Sequence, residues 1–251
     1  MSLPSAQQGP SVADVVAERT ARAVSPVSPV VAFWRTTIGK KTVMAVSGLL
    51  FVLFLIAHMV GNLKIFAGAA EFDAYGAWLR TIGEPVLSHG WYLWIQRVGL
   101  LVALVAHVTA AAQLSARDLR ARPVKYAHGQ RVRATYATRT MRWGGVILAL
   151  FVVWHVLDLT VGVVNPDFRH GQPHHNVVVD FQVWWINLIY IVAMVMLGLH
   201  INHGFASAAQ TLGVTRPARR RAIRAVGTTL AVVLTAGYLV VPLGVMTGMV
   251  S

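Results

Sequence analysis

Cysteine is absent from the 251 residues. That excludes disulfides, thiolate-bound zinc, iron–sulfur clusters held by this chain, and haem attached covalently through CxxCH. Charge is also scarce: 12% of residues are charged, against about 25% in an ordinary soluble domain. Acidic residues are the rarest, nine Asp and Glu against 22 Lys and Arg, for a formal net charge of +13. Near the N-terminus there is no apolar core of about 7–15 residues of the kind a signal peptide carries. Residues 1–34, beginning MSLPSAQQGPSVADVVAERTARAV, are therefore expected to be retained as a flexible, poorly ordered tail.

What fills the rest is apolar: 56% of the chain is hydrophobic, with a mean hydropathy of +0.59. Five runs reach the roughly 20 residues that a bilayer core demands, at Thr42–Gly61, Trp91–Ser115, Met141–Val163, Trp184–Ala206 and Ala225–Met249. They are long and continuous, without the period-two alternation of a barrel strand, so the expected fold is an all-α membrane domain over residues 35–251. All but four of the 22 Lys and Arg (Lys64, Arg80, Arg97 and Arg169) fall on one side of those spans. The positive-inside rule then places the N-terminus in the cytoplasm and the C-terminus outside. The same distribution argues against nucleic acid as the reason for the charge, and RPARRRAIR reads first as a topology anchor, compatible with docking a cytoplasmic partner.

Ionisable side chains within spans are costly and point to function. Here they are almost all histidine: His58 in FLIAHMV, His107 in LVAHV, His155 in FVVWHVL and His200 in LGLHINHG. A lone membrane histidine is more often a packing residue than a ligand; one on each of four consecutive helices is harder to dismiss. Each lies in the last third of its span, and consecutive helices run in opposite directions. His58 and His155 therefore share an outer level and His107 and His200 an inner one, separated by roughly 15 Å. Neutral imidazoles in a dry interior are nitrogen ligands. Zinc wants three or four ligands at one depth, whereas haem iron needs only its two axial positions filled. Two histidines per iron leave no position for oxygen, so the chemistry expected is electron transfer. At the inner level Ser47, Gly48, Gly144 and Gly145 could admit a macrocycle, although small residues also permit close helix packing without one. The fifth helix has no histidine and is expected to close the bundle.

The segments IGKKTVMAVSGLLFVLFLIAHMVGN, LVAHV, RTMRWGGVILALFVVWHVLDLTVG and IVAMVMLGLHINHG, in this order, resemble the five-helix, dihaem cytochrome b subunit of bacterial succinate:quinone oxidoreductases, over about Arg35 to Val250. The resemblance implies a bundle around two haems b in the cytoplasmic membrane. His107 and His200 would ligate the inner haem and His58 and His155 the outer. It also implies a flavoprotein subunit carrying FAD, an iron–sulfur subunit, and a quinone, menaquinone in this branch, as electron acceptor; oligomerisation of the complex is left open. Some fumarate reductases of that family carry a Glu two residues before the fourth-helix histidine. Gly198 stands there, which favours succinate oxidation with no proton route at that spot. The alternative is a dihaem anchor of a hydrogenase or formate dehydrogenase.

Further candidates surround these four. His203, one turn beyond His200, is open to a propionate contact, a quinone site, ligation or plain interfacial placement. Asp158 is either a solvated helix end or a proton-exchange group at a quinone near the outer haem. Arg97 is open to pairing with an outer propionate, pairing with Asp158, or snorkelling. Arg139 and Arg142 are open to inner propionate contacts or an anchor role. Ser47 is a second candidate beside the inner haem. The cluster His170, His174 and His175 has the composition of a metal site, but a hydrated loop is the preferred reading.

Overall fold

In a computed structural model, residues 28–121, 136–214 and 216–251 are described. The expected tail up to residue 27 and the loop cations Arg122, Lys125, Arg131 and Arg133 lie outside them, as does the Arg139 side chain. Regular structure among the described residues is wholly helical: α1 (Pro29–Arg35), α2 (Thr37–Leu63), α3 (Ala69–Trp78), α4 (Trp91–Arg120), α5 (Tyr136–His155), α6 (Pro173–Phe181), α7 (Trp184–Thr211) and α8 (Pro217–Met246). A 3₁₀ turn (Lys64–Ala67) extends α2, and a π turn (Val156–Val161) extends α5.

Five helices, α2, α4, α5, α7 and α8, are long and apolar enough to cross a membrane, the layout of a multi-pass membrane protein. Their apolar stretches coincide with the five runs read from the sequence. The tail differs from expectation at its end, because residues 29–35 form α1. The Ser28 hydroxyl accepts from the Val31 amide, Pro29 takes the first turn where no amide donor is needed, and Thr36 breaks the chain before capping α2 by accepting from the Gly39 amide at 2.8 Å. Lys40 is 2% exposed, donates to the Trp34 carbonyl at 2.6 Å and lies over the Trp34 ring. This lysine fastens α1 to α2 as well as adding to the basic side.

The core of the bundle is the α2–α7–α8 triad; α4 packs on α2 and α5 on α7. By contrast α4 and α7, and likewise α2 and α5, make at most marginal backbone contact. Near the end of α4, Arg117 donates to the Arg35 carbonyl and the Thr37 hydroxyl, which fixes α4 antiparallel to α2. That end of the bundle, called here the basic end, also carries Lys41, Arg120, Arg142 and Arg216 to Arg224. At the opposite end Ile65, Phe72, Phe181, Ile186 and Tyr190 form one buried cluster; Met59, Ala193, Ile201, Leu234 and Tyr238 form a second along the shaft. In lipid there is little hydrophobic drive between helices, so close fit and satisfied polar groups hold them. Tyr238 donates to the Leu55 carbonyl at 2.8 Å, and Thr235 sits where a side chain at Gly198 would be.

Candidate functional site

The four span histidines meet in two pairs. The ring centroids of His58 (α2) and His155 (α5) are 5.9 Å apart, and those of His107 (α4) and His200 (α7) are 6.3 Å apart. These helix pairs make at most marginal backbone contact, so it is the imidazole side chains that bring them together. All four rings remain only half-buried, although their neighbours Met59, Ala110 and Ile201 belong to the buried interior.

Two depths follow from the contacts on single helices. On α2, Ser47 touches His107 and His58 faces His155; the eleven intervening steps of helix amount to about 16 Å of rise. On α7, Tyr190 touches His155 and His200 faces His107, ten steps or about 15 Å apart. The pair His107–His200 lies toward the basic end, and His58–His155 toward the opposite end.

In each pair one ring has its tautomer fixed. Ser47 Oγ has a single proton, which it donates to the Val43 carbonyl at 2.7 Å. Its 2.9 Å contact with His107 Nδ1 is then one in which the ring N–H donates. The same logic applies at the other level. Tyr190 Oη donates its proton to Asp158 Oδ2 at 2.8 Å, so His155 Nδ1–H donates to Tyr190 Oη at 3.3 Å. Both arrangements leave Nε2 with the free lone pair and its ring partner hydrogen-bonded, as is common for a metal-ligating histidine. His200 Nδ1 is buried without a hydrogen-bond partner, and His58 stacks on Phe54 at 5.2 Å with Tyr238 beyond it.

The pairs fit axial ligation of haem. Two metal–nitrogen bonds of about 2 Å, with each nitrogen about 1 Å from its ring centroid, put trans imidazole centroids roughly 6 Å apart. Beside the inner pair, a Cβ at Gly48 would have only His107 within reach, at 3.6 Å, and one at Gly145 only His200, at 3.9 Å. Gly61, Gly198 and Gly237, in contrast, are filled by neighbouring side chains. No group of three or more His, Asp or Glu suited to a non-haem metal occurs among the described residues.

Of the other sequence candidates, Ser47 is brought into direct contact with His107. Asp158 is not a solvated helix end: it is 0% exposed, turned inward by the π turn, and bonded to Tyr190. It is not paired with Arg97, which is exposed and stacks over Trp94 at 5.2 Å. Arg142 makes a loose pair with Asp118 at 3.8 Å on the surface of the basic end. His203 is half-buried beside His200, and no described side chain hydrogen-bonds its ring. The expected hydrated loop is in part a helix: His174, buried, and His175 stand in the first turn of α6, and the three histidines do not converge. His175 bonds Asp167 Oδ2 at 3.0 Å, His170 packs on Phe168, and His174 packs on Phe72. Desolvation works against the Asp167 carboxylate, but Arg169 and His175 outweigh it and hold its pKa below the ordinary value.

Sequence reasoning did not single out Tyr190 and Asp180. Asp180, 0% exposed on α6, has no donor for either oxygen, and Asp158 has none for Oδ1; the two carboxyls face each other, so a proton on one is the donor the other lacks. Burial, then the Asp158 charge, push the Asp180 pKa up to about 8, so the pair shares a proton at neutral pH. A signal for Tyr190 was present: it stands ten residues before His200 on one helix, one full level away. Compared with known proteins, the chain matches no protein-family model, no curated protein and no solved structure.

Proposed function

We propose that this chain is the membrane-anchor cytochrome b subunit of a succinate:quinone oxidoreductase, holding two haems b between a cytoplasmic iron–sulfur subunit and a membrane quinone, menaquinone by the resemblance. The observation that carries the reading is the pairing of His58 with His155 and His107 with His200 at two depths, each between helices whose backbones make at most marginal contact. The resemblance of the histidine-bearing segments supplies the choice of complex.

When bound, a haem with both axial positions filled supplies one-electron transfer and offers no site to oxygen. The chain's own residues do the rest. His107 and His200 would hold the inner group and His58 and His155 the outer one, with Ser47 turning His107 so that Nε2 faces inward. Gly48 and Gly145 leave the backbone of α2 and α5 approachable beside the inner pair. Phe54 and Tyr238 pack beside the ring of His58 and orient it. The basic end, in the cytoplasm by the positive-inside rule, offers Arg120 and Arg216 to Arg224 to the iron–sulfur subunit. His203 lies on this side of the inner pair, in reach of a propionate or of a quinone arriving there. With Thr235 occupying the place of a side chain at Gly198, α7 has no room for an acid at that position.

Purification under mild detergent tests the assignment. A flavoprotein and an iron–sulfur protein should accompany the chain, and succinate should reduce its haem. An intact haem-bearing complex without a succinate-oxidising flavoprotein would point instead to the anchor of another oxidoreductase, such as a hydrogenase or formate dehydrogenase.

A further inference from the structure

Behind the two histidine pairs the hydrogen bonding differs in charge. Ser47, behind His107, passes its proton to a neutral backbone carbonyl. Tyr190, behind His155, passes its proton to a carboxylate. We propose that Asp158 and Tyr190 form a positioning relay for the outer pair, in which the carboxylate, acting through the tyrosine hydroxyl, fixes the tautomer of His155 and makes it a stronger nitrogen donor. The inference rests on the reading of His58 and His155 as axial ligands of one haem.

The relay is built rather than incidental. Tyr190 is 6% exposed and its ring is held edge-on by Phe151 at 5.0 Å and Phe181 at 4.8 Å, so the hydroxyl has one place to be. Asp158 is fully buried at the start of a π turn, a distortion that concentrates at functional sites. A buried carboxylate needs donors to remain charged. Tyr190 supplies one, a proton shared with Asp180 a second, and the Trp154 indole nitrogen, which has no other partner, lies beside the same group. Hydrogen bonding from an imidazole N–H toward a negative group gives the ring partial imidazolate character and raises its basicity as a ligand. A stronger donor favours the ferric state, so removing the relay should raise the midpoint potential of the outer haem.

A bland alternative is that the Tyr190–Asp158 bond only holds α7 against the π turn. The two are separated by a redox titration of the protein extracted from membranes with the subunits that accompany it. The titration is followed by visible and low-temperature electron paramagnetic resonance spectra. The outer component is assigned as the one lost in His155→Ala. Tyr190→Phe, which keeps the ring and deletes one oxygen, should retain both haems, shift the outer midpoint potential upward, change the ferric g-values of that component and leave the inner one alone. Asp158→Asn, whose amide oxygen still accepts from Tyr190, should shift the outer potential in the same direction. An outer potential unmoved in Tyr190→Phe, or equal shifts in both components, overturns the relay, and a lowered unfolding temperature with unmoved potentials assigns the bond to packing. Wild-type protein without haem overturns the underlying reading instead, so the two failures are distinguishable.

Discussion

At the scale of single residues, the account turns on hydroxyl protons. Ser47 and Tyr190 each have one to give, and each has an oxygen acceptor other than the histidine, which leaves the imidazole as the donor and Nε2 with the free lone pair. Removing the hydrogen-bond partner of a ligating histidine costs about 10–100-fold in metal affinity. Ser47→Ala is therefore expected to weaken retention of the inner haem by that order while leaving the outer one in place, read from haem content after dilution of the purified protein. Ser47 and the four histidines were legible in the sequence because depth can be counted along a helix of known rise. Tyr190 was not singled out, because an aromatic residue near the end of a span reads as part of the interfacial belt. Only the packing of α5 against α7 brings its hydroxyl between His155 and Asp158.

Helices and turns show a similar division. The five spanning helices follow from uninterrupted apolar runs, which in lipid have no alternative to the helix for satisfying their amides. The short helices α1, α3 and α6 were not expected. Their sequences are polar or brief, and Pro173 and Pro29 read as loop punctuation until they prove to stand in first turns. Burying Asp180 on α6 against Asp158 has a pH consequence. Because the folded protein holds the Asp180 proton up to about pH 8 and the unfolded chain releases it near the ordinary carboxylate value, the stabilisation is complete in acid, declines once pH passes that ordinary value and is lost by about pH 8. Protection of the α6 amides, corrected for the base-catalysed intrinsic exchange rate, should fall over that interval, and in Asp180→Asn the fall should be absent; corrected protection that ignores pH in the wild type would contradict the shared proton. Between α7 and α8, Gly198→Val must displace Thr235 and should destabilise the bundle by about 1–3 kcal/mol, the usual cost of overpacking. Gly204→Ala, with nothing within 4 Å, should be close to neutral. Reversible unfolding in mixed detergent compares the two, and equal destabilisation would argue against tight α7–α8 packing at Gly198.

For the whole molecule, the sequence pattern and the bundle agree on a division of labour. The triad α2, α7 and α8 makes the frame, while α4 and α5 stand off from α7 and α2 and are bridged to them by imidazoles. The central claim is that each histidine pair holds one haem b. Haem stoichiometry in the purified wild type and in four single His→Ala variants tests it most directly. Two haems b per chain are expected in the wild type. His58→Ala and His155→Ala should each lose the same spectral component, and His107→Ala and His200→Ala should each lose the other. A wild type without haem, or two members of one pair whose loss removes different components, would contradict it.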